Sequence, residues 1–329
     1  MIEVTKLSKS FFVHRKDPGF WGSARSLVHR TRVEKRAVRE VSFSVGEGEI
    51  VGLIGANGAG KTTLVKMLAG IIHPSDGDAR VLGHQPWQRD NDFRRQIALI
   101  MGQKAQLWWD LPAADCFLLL REIYQIPQGQ FAATLDYLSE VLDVRDQLNI
   151  QIRRLSLGER MKMELMASLL HTPRVVYLDE PTIGLDLMAQ RAIRDFLLSY
   201  RLEHRPAMIL TSHYMEDIER LCERILIIRE GELVYDGALR DVVERFAKTK
   251  VVTAHLQTTA EPVCADERLE SLGKVLDCNE LVVRLQVPRG EVADAAAAIL
   301  ARYPVADLSI EDEDVGSIIE RIMQAREKP

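Results

Sequence analysis

The order of hydrophobic and polar positions divides this chain into a long segment, in which strands and helices alternate, and a shorter one. Residues 1–13 alternate in the manner of a half-buried strand, with Ile2, Val4 and Leu7 on one face. The apolar runs 175–178 and 208–210 are typical of buried parallel strands. Alternating strands and helices predict a sheet with helices packed on it.

The remaining pattern of the long segment is mixed. Residues 37–45 and 49–55 predict a second strand pair joined by the turn 46–48. The helix after Gly60 is predicted from apolar residues at three-to-four spacing, namely Leu64, Met67, Leu68 and Ile71. From about 104 to 170 the periodicity is mostly helical, strongest in the segments 117–124, 131–142 and 161–170.

The order of strands and helices and the charge composition change after Phe246, which predicts a second domain. Strands are expected near 250–257, 274–278, 281–287 and 305–311, and helices near 290–302 and 314–327. Residues 251–329 carry 8 Lys/Arg and 15 Asp/Glu, whereas residues 1–250 carry 35 and 33. The sequence therefore predicts a large α/β domain over 1–246 and a small α+β domain over 247–329, for which a regulatory or dimer-stabilising role is a hypothesis.

Composition excludes several classes of protein. The 329 residues are 47% hydrophobic and 28% charged, which is ordinary for a globular chain and excludes collagen, coiled coil and general disorder. A net charge of −5 gives no field that draws the chain onto nucleic acid. Four scattered cysteines without a C-x-x-C pair indicate reduced thiols in the cytoplasm. No apolar stretch is long enough for a membrane span, so a membrane role requires a partner.

The strongest local motif is G-A-N-G-A-G-K-T at 55–62, which satisfies G-x-x-x-x-G-K-[ST] between a predicted strand and a predicted helix. Glycines let backbone N–H groups curl around a phosphate, and the helix N-terminus adds positive potential. Lys61 can reach the β and γ phosphates, and Thr62 offers a hydroxyl to Mg²⁺. The predicted phosphate-binding residues are Gly55, Asn57, Gly58, Ala59, Gly60, Lys61, Thr62 and Thr63.

A second motif, V-V-Y-L-D-E at 175–180, is an apolar strand that ends in two carboxylates. Asp179 is positioned to hold Mg²⁺ through water, and Glu180 to polarise the water that attacks a γ-phosphate. A hydrophobic run ending in Asp-Glu is common, but a nucleotide hydrolase needs both a phosphate loop and such a metal-and-water side. The pair of motifs therefore predicts an ATP-hydrolysing site with Mg²⁺.

Between these motifs lies L-S-L-G-E-R at 155–160, which is similar to the L-S-G-G-Q signature of the ATP-binding subunits of ABC transporters. The resemblance covers residues 1–246 and implies a P-loop NTPase ABC cassette. Such a cassette has a RecA-like core sheet, an antiparallel β part and a helical subdomain, here about 104–170. The copy departs from the family at Leu157, where glycine is usual, and at Glu159, where glutamine is usual.

The resemblance also implies roles for single residues. In the family, two cassettes sandwich two ATP molecules head to tail, so Ser156 and Gly158 would contact a nucleotide on a partner chain. Asp186 resembles the D-loop aspartate that touches the facing cassette. His213, in L-T-S-H, resembles the switch histidine that senses the γ-phosphate.

Two further assignments keep alternatives open. Gln103 is the candidate Q-loop glutamine, a contact to Mg²⁺ and water, although Gly102 occupies the place where that glutamine often stands. Phe11 is the candidate for stacking on adenine. Phe12 competes for that role, and both phenylalanines are alternatively core residues.

Two segments are candidates for membrane-side contacts. The insertion 14–36 holds seven Lys/Arg and several apolar residues, so it is either a basic amphipathic element on anionic lipid or the permease, or a solvated loop. Trp108 and Trp109 follow the candidate Q-loop, where the family docks a coupling helix of the permease. Core packing is the alternative for both tryptophans.

The resemblance implies the ATPase subunit of a membrane exporter, closest in style to bacterial drug-export systems with separate permease subunits. An importer ATPase and a soluble ABC ATPase acting on ribosomes or DNA are the alternatives. The expected partners are membrane permease subunits and a second cassette in a homodimer, with no nucleic acid. The expected location is cytoplasmic, peripheral on the inner face of the cell membrane, and the transported substrate is not disclosed.

Overall fold

The computed structural model describes residues 1–15, 31–102, 104–257, 268–279 and 281–324. The chain forms two compact units, Met1–Gly237 and Ala238–Pro329. This division lies earlier than the composition change near Phe246, because the helix over 239–246 packs against the last helix of the second unit. Each unit is described here by itself.

The centre of the first unit is a largely parallel sheet with the strand order β5-β6-β7-β3-β8-β9. Its strands β3 and β7 are buried at every position, which their continuous apolar runs require. The parallel strands expected at 175–178 and 208–210 are confirmed as β6 and β7. The bounds are β3 (Ile50–Ile54), β5 (Ile97–Met101), β6 (Val175–Asp179), β7 (Ala207–Thr211), β8 (Arg224–Arg229) and β9 (Glu232–Ala238).

A separate antiparallel sheet has the order β2-β1-β4, formed by β1 (Ile2–Arg15), β2 (Thr31–Val45) and β4 (Asp76–Val81). The expected pairing of 37–45 with 49–55 is wrong, since β2 pairs with β1 and β3 lies in the parallel sheet. β2 alternates buried and exposed residues from Val41 to Val45, as a one-sided antiparallel strand does. The described ends of the basic insertion, 14–15 and 31–36, are strand, and residues 16–30 lie outside the described residues.

Helix α1 (Lys61–Leu68) packs against β2 and β6 and buries Leu64, Met67 and Leu68 completely. Ile71, predicted on the same buried face, is instead exposed and lies beyond the helix. Gly70 stops the helix with φ +72°, a left-handed conformation that glycine adopts without strain.

The helical region between β5 and β6 is confirmed, and it contains α3 (Ala113–Tyr124), α4 (Gln128–Val141) and α5 (Leu157–Leu169). The remaining helices of the first unit are α2 (Asn91–Arg94), α6 (Leu187–His204) and α7 (Met215–Leu221). Short 3-10 turns occur at Pro86–Gln88, Arg145–Gln147 and Ile152–Arg154. No helix among the described residues is both long and apolar enough to cross a membrane.

The second unit is α+β, as expected. Its antiparallel sheet has the order β11-β12-β10-β13, with helices α9 and α10 covering one face through Leu269, Val292 and Ile299. The bounds are α8 (Leu239–Phe246), β10 (Thr249–Leu256), α9 (Arg268–Leu272), β11 (Lys274–Cys278), β12 (Val282–Pro288), α10 (Val292–Arg302), β13 (Val305–Asp312) and α11 (Val315–Gln324). A 3-10 turn at Arg289–Glu291 precedes α10.

The cysteines correct one expectation. Cys116 and Cys222 are buried and free. Cys278, at the end of β11, is disulfide-bonded, so the interpretation of all four cysteines as reduced thiols is wrong for this residue.

A buried histidine joins the helical region to β5. The His171 ring stacks on Tyr124 with ring centroids 4.0 Å apart, and its Nε2 lies 3.0 Å from the Ile97 carbonyl oxygen. Burial lowers the pKa of His171 from 6.5 to about 4, although the Ile97 carbonyl acts in the opposite direction. The folded protein therefore keeps this ring neutral.

We expect His171 to make the folded state lose stability in acid. Above pH 6.5 the ring is neutral in both states, whereas between pH 6.5 and about 4 only the unfolded chain binds the proton. The free energy of unfolding should thus fall by about 2 to 3 kcal/mol between neutral pH and about pH 4.5. His171→Phe keeps a stacked ring without the titration, so urea unfolding at both pH values should show that loss removed. An unchanged pH dependence in this variant would contradict the assignment.

Candidate functional site

The site lies at the carboxyl ends of the parallel strands. Met101 is opposite Asp179 in the β5–β6 ladder, and Asp179 is opposite Thr211 in the β6–β7 ladder. β3 lies beside β7 and ends at Ile54, directly before the loop 55–60. Ligands of open α/β sheets bind outside such strand ends.

The loop 55–60 is shaped by close backbone packing. Gly60 has φ +113°, and a Cβ at this position would lie 2.3 Å from the Ala37 carbonyl oxygen. A Cβ at Gly55 would lie 2.4 Å from the Ile228 carbonyl oxygen. Because the loop curls tightly against these carbonyl groups, only glycine fits at both positions. The loop then leads into the N-terminus of α1. This arrangement is a cradle for phosphate, with backbone N–H groups and the helix dipole as its attractive parts.

Lys61 is held across this loop. Its Nζ donates hydrogen bonds to the carbonyl oxygens of Gly55, at 2.5 Å, and Ala56, at 3.3 Å. Burial lowers the pKa of Lys61, and the nearby carboxylates of Glu180 and Asp179 act in the opposite direction. A partly buried ammonium over the cradle is suited to an anionic ligand, because phosphate oxygens would replace carbonyl acceptors and stabilise the charge.

The Asp179 carboxylate accepts hydrogen bonds from two hydroxyl groups. The Thr62 hydroxyl donates to Asp179 Oδ2 at 3.2 Å, and the Thr211 hydroxyl donates to Oδ1 at 2.5 Å. Hydroxyl and carboxylate oxygens at the mouth of a phosphate cradle fit Mg²⁺, which prefers hard oxygen ligands. Within the described residues no group of three or more His, Cys, Asp or Glu could hold a metal alone. The donor set therefore suits a metal whose remaining ligands are phosphate oxygens and water.

Glu180 and His213 are adjacent beyond the strand ends. Glu180 Oε1 lies 2.8 Å from His213 Nε2. The Glu180 side chain is mostly buried, with 15% of its surface exposed, whereas the His213 side chain is 41% exposed. Glu180 has φ +58°, a strained value that turns the chain sharply after β6. A carboxylate next to an imidazole at the edge of a phosphate cradle can accept a proton from water.

A pocket of about 330 Å³ opens above the cradle, within the range of small-molecule sites. Its lining includes most of the residues predicted for phosphate binding together with Glu180. Phe11 also lines it, whereas Phe12 does not and is 69% exposed. The Lys9 ammonium lies 5.2 Å from the centroid of the Phe11 ring.

Ser156, Gly158 and Asp186 form a second group, which lines neither this pocket nor the smaller one beside Asp179. A Cβ at Gly158 would lie 3.2 Å from the Ala189 Cβ, so the starts of α5 and α6 are in contact. Ser156 caps α5, and the Asp186 carboxylate caps α6 by accepting from the Ala189 N–H at 2.9 Å. The two helix N-termini therefore lie side by side.

Comparison with known proteins agrees with this geometry. Residues 38–183 match the family described as ABC transporter, and residues 248–311 match the C-terminal domain of EvrA-like ABC transporters. The ABC transporter ATP-binding protein NatA of Bacillus subtilis is 32% identical over 209 residues, which are 64% of this chain and 85% of NatA. The Nod factor export ATP-binding protein I of Burkholderia thailandensis is 32% identical over 255 residues, 76% of this chain and 83% of that protein.

The chain belongs to the ABC transporter ATP-binding proteins. It is accordingly an ATP-binding cassette with ATPase activity, and the predicted fold class is confirmed. A solved ATP-binding subunit of an ABC transporter superposes with a TM-score of 0.63 at 24% identity, covering 75% of this chain and 93% of the other. A cassette in a dimeric post-hydrolysis state bound to ADP and Pi gives 0.60 at 20% identity, covering 73% and 99%.

The segment 155–160, which resembles the family signature, has the carboxylate of Glu159 where glutamine is usual. Ser156 and Glu159 form a capping box: the Glu159 N–H donates to Ser156 Oγ, and the Ser156 N–H donates to Glu159 Oε2 at 2.9 Å. The Ser156 hydroxyl also donates to that oxygen at 2.7 Å. These hydrogen bonds from Ser156 lower the pKa of Glu159. Glu159 is thus an ionised carboxylate that accepts the Ser156 hydroxyl hydrogen bond, for which a phosphate oxygen would have to compete.

Gln103 lies outside the described residues, so its assignment stays a prediction. Its neighbours Met101 and Lys104 line the smaller pocket, together with Thr62, Asp179 and Glu180. A Cβ at Gly102 would lie 1.9 Å from the Glu180 carbonyl oxygen. The backbone at residue 102 therefore leaves no room for a side chain unless it shifts.

The cassette also brings unpredicted residues to its site. Lys35, opposite Phe11 in the β1–β2 ladder, lines the larger pocket, and Lys104 lines the smaller one. Thr211 binds Asp179, although the motif around His213 gave it no role. Its place at the end of a buried strand, two positions before His213, is the sequence signal that could have found it.

Proposed function

We propose that the chain is the ATP-hydrolysing subunit of a membrane ABC exporter. The proposal is supported by relatives named for export, including the Nod factor export protein. Its permease subunits are separate polypeptides, and the cargo is read by those subunits. The cassette works on their cytoplasmic side.

In this proposal two copies close head to tail around two ATP molecules. The observation that carries it is the division of the site into two groups: the phosphate loop, Asp179 and Glu180 line the two pockets, whereas Ser156 and Gly158 line neither. The N-terminus of α5 supplies N–H donors and dipole to a phosphate held by the facing copy. Asp186, at the adjacent helix start, then contacts that copy.

Within one pocket the residues divide the chemistry. Phe11 stacks on adenine, and the cradle with Lys61 binds the β and γ phosphates. Thr62 and Asp179 would hold Mg²⁺, with Gln103 as the predicted third contact. When bound, the metal neutralises charge that develops on the phosphates.

The cleavage step rests on two residues of this chain. Glu180 orients the attacking water and takes its proton at Oε1. His213, 2.8 Å from that oxygen, fixes the carboxylate and contacts the γ-phosphate. Water excluded by the facing copy strengthens these contacts, because the local dielectric constant falls.

The permease contact is placed at Trp108 and Trp109. Their side chains are about half exposed, at 45% and 50%, so the core alternative does not describe them. The Arg160 guanidinium lies 5.2 Å from the Trp109 ring centroid and steadies it from α5. Aromatic side chains of this kind are common centres of protein interfaces. The basic insertion 14–36 supplies the proposed lipid contact.

Purification from detergent-solubilised membranes tests this function. We expect the tagged chain to retain membrane-spanning subunits, and Trp108→Ala/Trp109→Ala to lose them while still binding ATP. Leu202→Ala, which removes another exposed apolar side chain, is the matched control and should retain them. In inverted vesicles the complex should accumulate cargo with ATP.

Other outcomes would contradict the proposal. Copurification with an extracellular substrate-binding protein, with cargo moving inward, would identify an importer. Recovery on ribosomes or DNA without membrane subunits would identify a soluble ATPase.

A further inference from the structure

A buried acid–base pair lies behind the catalytic edge of the cassette. Asp217, on α7, is 0% exposed, and Arg194, on α6, is 2% exposed. Arg194 Nη1 donates to Asp217 Oδ1 at 3.2 Å and lies 3.0 Å from the partly exposed Glu216 carboxylate. Neither member of the pair lines a nucleotide pocket. No assigned role accounts for them.

The second oxygen of Asp217 joins two loops. Oδ2 accepts hydrogen bonds from the Thr182 hydroxyl and, at 2.6 Å, from the Ser212 hydroxyl. Thr182 follows Glu180 by two positions, and Ser212 directly precedes His213. The Ser212 oxygen in turn accepts from the Tyr214 N–H at 3.0 Å. One carboxylate therefore ties the loop of the proposed base to the loop of the switch histidine.

The sheet does not hold these loops by itself. The β6–β7 ladder ends with Asp179 opposite Thr211, and the Glu180 N–H then donates to the Thr211 carbonyl at 3.0 Å. Beyond that hydrogen bond, the segments that follow β6 and β7 both leave the sheet. The 2.8 Å contact between Glu180 and His213 lies in this region.

We infer that Asp217, held by Arg194, is a positioning residue for ATP cleavage. It sets the separation of the two loops and thereby the contact between Glu180 and His213. The inference rests on the proposed roles of those two residues. Reacting groups displaced by about 1 Å can lose about 100-fold in rate while ground-state binding is kept, so the signature of this role is a loss confined to kcat.

The test uses the full-length chain with two kinds of substitution. Asp217→Asn keeps the shape but removes the charge and one of the two acceptor oxygens, so it cannot accept from Arg194 through one oxygen and from the two hydroxyls through the other. Arg194→Met/Asp217→Leu removes both buried charges, so no unpaired charge remains to destabilise the fold. Thermal unfolding, kcat and KM for ATP are measured for each. Asp236→Asn, which removes the charge from the partly exposed pair with Arg224, is the control for loss of an ion pair elsewhere.

We expect kcat to fall about 10- to 100-fold in both Asp217 variants, with KM changed less than about threefold. The double variant should show this fall in kcat even if its melting temperature equals that of the wild type. Asp236→Asn should keep wild-type kcat. Wild-type kcat in a stable double variant would overturn the inference, as would a loss that only follows the unfolded fraction.

Failure of the inference is distinguishable from failure of the proposed function. If Glu180→Gln is inactive and the stable double variant has wild-type kcat, only the positioning role is wrong. If Glu180→Gln turns over normally, the role of Glu180 is wrong, and the inference that depends on it is overturned as well.

Discussion

Replacing Glu180 by glutamine is expected to lower ATP turnover by about 100-fold or more, the usual effect of removing a general base. Glutamine has the same shape and still reaches His213, from which Glu180 Oε1 lies 2.8 Å away. It cannot accept the proton of the attacking water. ATP binding should persist, because the phosphate loop and Lys61 are unchanged, and an ATP-bound dimer should accumulate. Phosphate release and size-exclusion chromatography with MgATP measure both effects.

The matched control for this variant is Glu223→Gln. Glu223 pairs with Arg201 and is almost fully exposed, so removal of its charge should leave turnover unchanged. Turnover near the wild-type rate in Glu180→Gln would show that another group takes the proton. Loss of ATP binding in the same variant would show that the charge acts before cleavage.

Much of the parallel sheet could be predicted from local pattern. The runs that became β6 and β7 are apolar at successive positions, as is typical of strands covered on both faces. The same rule separates β3, buried throughout, from β2, whose Val41, Phe43 and Val45 alternate with exposed serines. Adjacency in the chain favoured a hairpin between them, but the burial pattern of each strand belongs to a different sheet. The pairing was therefore wrong although both strands exist.

The phosphate-binding part of the site was predictable because its chemistry is local. Gly60 and Lys61 act through backbone shape and a short side-chain reach, so the motif itself contains the geometry. Lys35 and Asp217 depend on contacts between distant segments. Asp217 touches Thr182 and Arg194 across three separate elements, and no spacing in the sequence records this. The exclusion of a side chain at Gly102 likewise comes from the Glu180 backbone.

The second large effect follows from the proposed division of the site between two copies. Lys61→Ala removes the ammonium over the cradle, so this variant should lose ATP affinity and turnover. Ser156→Asp keeps an N-cap acceptor for α5, loses the hydroxyl bond to Glu159, and directs a negative charge at the phosphate of the facing copy. The turnover rate of each variant alone should therefore be about one hundredth of the wild-type rate or lower. Neither change alters the other group of residues.

Mixing these two variants tests the central claim most directly. A heterodimer pairs the intact phosphate loop of the Ser156→Asp chain with the intact signature of the Lys61→Ala chain, so one of its two pockets is complete. An equal mixture, with heterodimers verified by two affinity tags, should recover about one quarter of wild-type turnover, since about half of the dimers then have one working site. Turnover no higher than that of the separate variants, despite verified heterodimers, would contradict the account.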